Sequence, residues 1–386
     1  VTTGRPEASA VKTVLNGYFW KLEATGSGQY LRWLAEHLKG IPGLHVSVVK
    51  PTHRGTQRNS MHRGSKIGKL LWEQYGFPRE AKAHGAHLVH VPYFAPVLWT
   101  PAPQIVTVHD VANLTLPEYR GSLLLRLYFL LARLGLRRTS HVITDTEAAR
   151  REIIEVLRLA ASKVTAIHLG VDPDLKPLEP GHPGVSAITS RFGLRQPFLL
   201  YLGGYDARKN LPTLVEAYAH LVSLGSEWGL VIAGEFPERW GTPIVPDLPA
   251  VIRRYGLEQR VILTGRLTSE ERLLALNAAS AFVFPSSYEG FGLPPLEAMA
   301  CGLPVIAART PAVVEVCGDA AVYVAPRSVP ELVQAMYSIC TEPELRSRLR
   351  EAGLHRARSF TWKATAERTA EVYFEVARHH ARSSGQ

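Results

Sequence analysis

The chain has 386 residues, of which 46% are hydrophobic and 20% charged, and a net charge of +10. This is a globular composition, long enough for two or three domains with sizeable cores. It excludes a disordered or fibrous chain; the longest apolar stretch, Leu123 to Leu136, is interrupted by Arg126 and Arg133 and is too short to span a bilayer.

Short apolar runs alternate with helical patterns along most of the chain, the signature of βαβ units and parallel sheets covered by helices. The first predicted strand, Lys12–Asn16, is followed by Thr25-Gly-Ser-Gly-Gln-Tyr30, which leads into an amphipathic helix over 30–38. This loop departs from a dinucleotide fingerprint, because Leu31 stands where the last glycine belongs and the next strand, His45–Val49, ends at Lys50 where an acid is expected. A nicotinamide dehydrogenase is disfavoured. Charge is concentrated here as well: residues 1–190 hold 23 lysines and arginines against 14 acidic residues. Lys39, Lys50, Arg54, Arg58, Arg63, Lys66 and Lys69 occur with no acid between Glu36 and Glu73. Such a face suits a phosphate-bearing partner or an anionic membrane surface. Leu70, Leu71, Trp72, Tyr75 and Phe77 follow it, mixing apolar groups with the cations.

Strands Leu88–Val91, Gln104–His109, His141–Thr144 and Lys163–Ile167 complete the first set. His109 and Asp110 stand at the end of one of them, where polar residues often act chemically and where an aspartate also serves as a helix cap. The Pro- and Gly-rich stretch 172–184 reads as an interdomain linker; its Asp172-Pro173-Asp174 imitates a DxD metal motif but reads as turn chemistry. The second set comprises Phe198–Leu202, Gly229–Ala233, Arg260–Leu263, Ala281–Phe284, Pro304–Ala307 and Ala321–Val324. Each set suffices for a doubly wound sheet, with ligands expected at the carboxyl ends of the strands. The expected division is a first domain over 1–175, a second over 176–361, and a C-terminal helix at about 362–380 that packs back on the first. The final residues, HHARSSGQ, are expected to fray. Cys301, Cys317 and Cys340 form neither an even set nor a CxxC pair and read as core thiols. No apolar h-region is seen near the start, so the expected location is the cytoplasm.

Three loops at strand ends carry chemistry. After Ala281–Phe284 comes Pro285-Ser-Ser-Tyr-Glu-Gly-Phe-Gly-Leu-Pro-Pro-Leu-Glu297, in which Gly290 and Gly292 permit close backbone approach and Pro294 and Pro295 start a helix. Its N–H groups favour an anion, and Glu289 and Glu297 can accept hydrogen bonds from separate hydroxyls of one ligand. After Phe198–Leu202, Gly203 and Gly204 open a turn that puts Arg208 and Lys209 where a diphosphate can sit. The Gly26–Gly28 pair supplies a third, anion-tolerant loop.

Together these segments are similar to the retaining family 4 glycosyltransferases of the GT-B fold, from about Val14 to Phe360. The most specific element is the E-x7-E motif, Glu289 to Glu297, within EGFGLPPLEAMACGLPVIA. It is accompanied by GSGQY, VTVHD at 106–110, VITDTEAAR at 142–150, HLGVD at 168–172, GGYDARKN and GRLTSEE. The resemblance implies two Rossmann-like α/β domains facing across a cleft, and transfer of a hexose, mannose or glucose, from a nucleoside diphosphate sugar to a glycan or lipid-linked acceptor. In that picture Glu289 holds the sugar hydroxyls and Glu297 the ribose; Arg208 and Lys209 neutralise the diphosphate. The backbone of Gly290, Phe291, Gly292 and Leu293 contacts sugar and phosphate, Gly26 and Gly28 approach the diphosphate, His109 lies near the sugar, and Asp110 belongs to the acceptor side. Many relatives carry arginine at Gly204, so here Arg208 takes the paired-cation role. No metal or other cofactor is implied, and retention is attributed to same-face attack assisted by the donor phosphate. The basic segment 50–69 is expected to meet the acceptor or the inner face of an anionic membrane; no nucleic-acid module is recognised. The competing readings are a sugar-nucleotide epimerase or phosphorylase on a similar scaffold and a non-catalytic nucleotide-sugar-binding protein.

Overall fold

The computed structural model of the chain describes residues 10–20, 26–51, 66–95, 97–119, 121 and 123–384. It divides into two compact units, one of residues 1–170 with 362–386 and one of 171–361. In the first, β1 (Val11–Asn16), β2 (Leu44–Val49), β3 (Leu88–Val91), β4 (Gln104–Thr107), β5 (His141–Thr144) and β6 (Val164–Ala166) form a parallel sheet in the order β2-β1-β3-β4-β5-β6. Its helices are α1 (Gly26–Leu38), α2 (Lys66–Leu71), α3 (Phe77–Ala83), α4 (Ala112–Thr115), α5 (Leu123–Arg138) and α6 (Glu147–Leu157). Strands β3 and β4 are buried along their whole length, as strands covered by helices on both faces must be.

The second unit holds α7 (Pro183–Phe192), β7 (Phe198–Leu202), α8 (Leu211–Ser223), β8 (Gly229–Ala233), α9 (Leu248–Arg254), β9 (Val261–Gly265) and α10 (Ser269–Ala278). It continues through β10 (Ala281–Phe284), α11 (Leu293–Ala300), β11 (Val305–Ala308), α12 (Pro311–Cys317), β12 (Ala321–Val324), α13 (Val329–Thr341) and α14 (Pro343–Ala357). Its parallel sheet has the order β12-β11-β10-β7-β8-β9. The strand order reverses between β1 and β3 in one sheet and between β7 and β10 in the other, and at such switch points the loops part to leave a crevice at the carboxyl ends.

The chain returns to the first unit through α15 (Trp362–Ser384). Trp362 stacks on Trp33 of α1 with ring centroids 6.3 Å apart and planes at 10°, and Thr365 Oγ1 donates to the His168 carbonyl at 2.8 Å. A buried polar chain completes the seam: Tyr373 hydroxyl to His90 Nδ1 at 2.5 Å, His90 Nε2 to Thr107 Oγ1 at 2.8 Å, and Thr107 to the Tyr30 hydroxyl at 3.0 Å. Burial pushes the His90 imidazole down to about 3, so it stays neutral and serves this network as one donor and one acceptor.

Several local expectations are corrected. The helix after β1 begins at Gly26 and not at Tyr30, so Gly26 and Gly28 form its first turn. Strand β4 stops at Thr107, leaving His109 beyond its end. Residues after Val171 are no free linker: Leu178 N–H donates to Asn277 Oδ1 at 2.8 Å and Asn277 Nδ2 donates to the Lys176 carbonyl at 3.1 Å, fastening the stretch to α10. The last helix continues through His379 to Ser384, where fraying is expected from the sequence. Cys301 and Cys317 are buried, Cys340 is half-buried, and all three are free thiols.

Candidate active site

At the β7/β10 switch point, two loops are tied together by their backbones. Ser287 N–H donates to the Arg208 carbonyl at 2.7 Å, and Asn210 Nδ2 to the Pro285 carbonyl at 3.3 Å. Asn210 has a φ of 56°, which turns the chain from the short 3₁₀ turn Ala207–Lys209 into α8. Across the switch, α11 starts from Gly292 at φ 113°, a conformation that glycine adopts without strain, with Pro294 and Pro295 in the first turn where their missing N–H groups cost nothing.

This framing brings three of the sequence-nominated side chains into one cluster. Lys209 Nζ donates to Glu289 Oε1 at 2.6 Å, while Arg208 Nη1 donates to Glu289 Oε2 at 3.4 Å and Arg208 Nε to Asp206 Oδ1 at 3.1 Å. Burial works against a charged Glu289, but Lys209 and then Arg208 outweigh it and hold the carboxyl below the usual carboxylate range. The cations assigned to a diphosphate are therefore gathered on Glu289 in this structure. Gly203 and Gly204 open the turn as expected: a Cβ at Gly203 would lie 2.5 Å from the Tyr201 hydroxyl, which itself donates to the Gly204 carbonyl at 2.7 Å. Gly290, Phe291 and Leu293 lie in the same loop and helix start.

Glu297, one helical turn into α11, has a different partner. Arg272 Nη1 donates to Glu297 Oε1 at 2.7 Å, and its Nη2 donates to Asp172 Oδ2 at 3.1 Å. One arginine serves two acids, and burial, reinforced by Asp172, pushes the Glu297 carboxyl up to about 7 despite it. Asp172 also accepts from Asp174 N–H at 3.0 Å, so the turn role holds but is half of what this residue does. Sequence reasoning missed Arg272, which has no motif of its own; the nearest cue is the capping box of Thr268 and Glu271 that starts α10 one residue before it.

In the first unit, His109 Nδ1 lies 2.8 Å from Asp145 Oδ2, and the edge of the Tyr30 ring packs against the imidazole at 4.9 Å between centroids. Burial opposes protonation of His109, but Asp145, then Asp110 and the Pro92 carbonyl, outweigh it and hold the imidazole above its ordinary value. Asp145, the missed partner, sits just past β5 within VITDTEAAR, a strand-end position that marks it. Asp110 Oδ1 accepts from Ala112 N–H at 3.1 Å, but the N-cap of α4 is Val111, so Asp110 closes a turn ahead of the helix and is not its cap. Gly28 is buried in the first turn of α1.

At the β1/β3 switch point the ammonium of Lys69 lies 5.0–5.7 Å from the ring centroids of Tyr18, Phe19, Tyr93 and Tyr128 and 3.6 Å from Glu73 Oε1. Lys69 is thus folded inward, and Lys50 covers the Trp20 ring at 4.1 Å. Of the expected basic face, Arg54, Arg58 and Arg63 lie outside the described residues. Phe77 is fully buried, whereas Leu71 and Tyr75 face outward.

Two six-stranded parallel sheets, each with strand-end loops bearing charged and glycine-rich segments, define a two-domain α/β enzyme of the GT-B type. The match for glycosyl transferases group 1 covers residues 189–356 and that for glycosyltransferase family 4 covers residues 24–175; the chain belongs to the family 4 glycosyltransferases. It is 28% identical over 271 residues to the O-antigen chain mannosyltransferase B of Escherichia coli, covering 70% of this chain and 69% of that one. It is 27% identical over 273 residues to the serotype-specific mannosyltransferase WbdA of Escherichia coli, but spans only 33% of that protein's length. Its fold is shared with sucrose-phosphate synthase from Thermosynechococcus elongatus, with a TM-score of 0.74 at 21% identity, over 95% of this chain and 98% of the other.

Proposed function

We propose that this glycosyltransferase moves a hexose from a nucleoside diphosphate sugar to a glycan or lipid-linked acceptor with retention at the anomeric carbon and without a metal. Mannose is favoured over glucose by the names of the two mannosyltransferases it resembles. The observation that carries the reading is the convergence of Arg208 and Lys209 on Glu289 at the β7/β10 switch point. Two fixed cations there can neutralise the charge that develops on the departing diphosphate, aided by the N–H groups at the start of α11.

In this reading, donor binding gives Arg208 and Lys209 phosphate oxygens to pair with, while Glu289 accepts from the hydroxyls of the sugar. Glu297 accepts from the ribose, and the backbone of Gly290, Phe291, Gly292 and Leu293 lines the sugar and phosphate. The first unit contributes Gly26 and Gly28 toward the diphosphate, His109 toward the sugar, and Asp110 toward the acceptor. The division of labour is an acceptor-side first unit and a donor-binding second one, with peripheral contact at an anionic membrane. The departing phosphate takes the acceptor proton, so no carboxylate is needed as nucleophile.

A panel of nucleotide sugars and nucleoside diphosphates in a thermal-shift assay tests this. A bound ligand at a hundredfold excess over its Kd adds about 2.7 kcal/mol to the folded state. A shift selective for one base, lost in folded Lys209→Ala and Glu297→Ala proteins, supports the reading. Stabilisation by none of the nucleotides overturns it.

A further inference from the structure

Helix α5 is fastened along one side and bare along the other. Phe129, Ala132 and Leu136 are buried, the Tyr128 hydroxyl donates to Glu73 Oε1 at 3.0 Å, and Gly135 lies so close to the preceding loop that a Cβ would stand 2.9 Å from the Val97 carbonyl oxygen. These contacts fix the rotation of the helix. The opposite side carries Leu123, Leu127, Leu130 and Leu134, exposed by 80%, 50%, 53% and 42%. At 3.6 residues per turn the four fall within about 60° of arc. The patch is extended by a groove of about 600 Å³ lined by Leu70, Tyr75, Trp99 and Leu131 together with Arg79 and Lys82, in which Tyr75 and Trp99 are themselves 72% and 60% exposed. Four leucines and two aromatics on one surface are more than isolated apolar residues, and a patch of this kind marks an interaction site.

Charge identifies the occupant. Helix α5 contains no acidic residue and carries Arg126, Arg133, Arg137 and Arg138, of which Arg126, Arg137 and Arg138 are exposed. A symmetric pairing of two copies through this helix would set the same arginines against each other. An anionic bilayer accepts both features at once, taking leucines into the boundary between headgroups and chains and arginines at lipid phosphates. We propose that α5, with Leu70, Tyr75 and Trp99 beside it, is the face by which the enzyme docks on an anionic lipid surface, lying in the interface without crossing it. Among the described residues no helix is long and apolar enough to cross a membrane. The proposal rests on and deepens the reading of a lipid-linked acceptor and peripheral membrane contact; of the segment 50–69 expected to make that contact, residues 52–65 lie outside the described residues.

Flotation with phosphatidylcholine vesicles, with and without one-third phosphatidylglycerol, tests it on the full chain. The wild type is expected to float with the anionic vesicles only. Leu127→Ser/Leu130→Ser should weaken partitioning at least about tenfold, and Arg126→Gln/Arg137→Gln by about fivefold per arginine, less as salt is raised. Circular dichroism and the nucleotide thermal shift should match wild type in both variants, because neither changes the second unit. Failure of the wild type to float, or flotation of both variants at wild-type level, overturns the proposal. So does a wild-type dimer that Leu127→Ser/Leu130→Ser dissociates in the absence of any vesicle binding, which would assign the face to a second copy. Charge-dependent flotation of a protein that no nucleotide stabilises would support the docking face while removing the transferase reading.

Discussion

Glu289 and Glu297 belong to one loop-and-helix segment and are almost equally buried, with side chains 10% and 7% exposed, yet they are held in opposite directions. Glu289 faces two cations, Lys209 at 2.6 Å and Arg208 at 3.4 Å, and is kept ionised below the ordinary range. Glu297 shares the single Arg272 with Asp172 and is pushed up to about 7. Burial is common to both, so the ratio of cations to acids decides the outcome. A carboxylate kept charged by two cations, one of them shared with Asp206, suits a place where phosphate charge arrives. A carboxylate balanced near neutrality suits one that meets only hydroxyls.

The comparison is broken most severely by removing Lys209. In Lys209→Met, Glu289 keeps only the longer contact to Arg208, and a cation aimed at the leaving group is lost; sugar transfer is expected to fall at least about a hundredfold. Measurement of transfer with donor saturating checks this, and a rate within a few-fold of wild type would remove Lys209 from the chemistry. Arg272→Gln comes next. It leaves the buried Glu297 and the half-buried Asp172 without their shared cation, at a cost of about 3 kcal/mol in urea unfolding. It should also raise the Glu297 pKa further, so that nucleotide affinity in the variant improves as pH rises across the neutral range.

A third change sharpens the contrast without removing a charge partner from the diphosphate side. Because the folded-state value of Glu297 is about 7 against an ordinary 4.5, the folded chain binds the extra proton and this group's contribution to stability declines as pH rises from 4.5 to about 7. Glu289 runs the other way: its lowered value adds stability above 4.5 that is lost as pH falls through its folded value. Glu297→Gln should therefore flatten the decline, a difference of about 3 kcal/mol between the acidic and alkaline ends of that window. Unfolding midpoints of wild type and variant across the window supply the test, and parallel curves would contradict the raised value.

What could be read from the sequence follows from the range of the interactions. The strands are legible because each is a short apolar run, with β3, β4, β7, β10 and β11 buried along their whole length, and the β7 and β10 loops because glycine and proline punctuate them locally. Glu289, Arg208 and Lys209 are legible for the same reason, since each stands a few residues past a strand end. Arg272 is not: it reaches Asp172 and Glu297, 100 and 25 residues away in sequence, and no spacing rule links them. The orientation of α5 is equally hidden, because an arginine-broken leucine run reads alike whether its leucines face the core or the solvent; Tyr128 and Gly135 decide it only once their partners are in place.

The smallest effect is expected at a histidine–carboxylate contact in the first unit, where Asp145 faces His109. His109 is held above its ordinary 6.5 chiefly by Asp145 at 2.8 Å against the opposing effect of burial. A raised histidine contributes stability that is complete below 6.5 and disappears as pH rises through its folded value. Asp145→Asn keeps an oxygen for the Nδ1–H bond but removes the charge that favours imidazolium. It should cost about 1.5 kcal/mol at mildly acidic pH, the worth of a hydrogen bond to a charged group. At alkaline pH, where the imidazole is neutral in both proteins, the cost should vanish, since the variant also escapes the burial of a carboxylate. A cost that is constant with pH would mean that Asp145 holds His109 by geometry alone, and that the charge on this carboxylate does for His109 nothing comparable to what Lys209 does for Glu289.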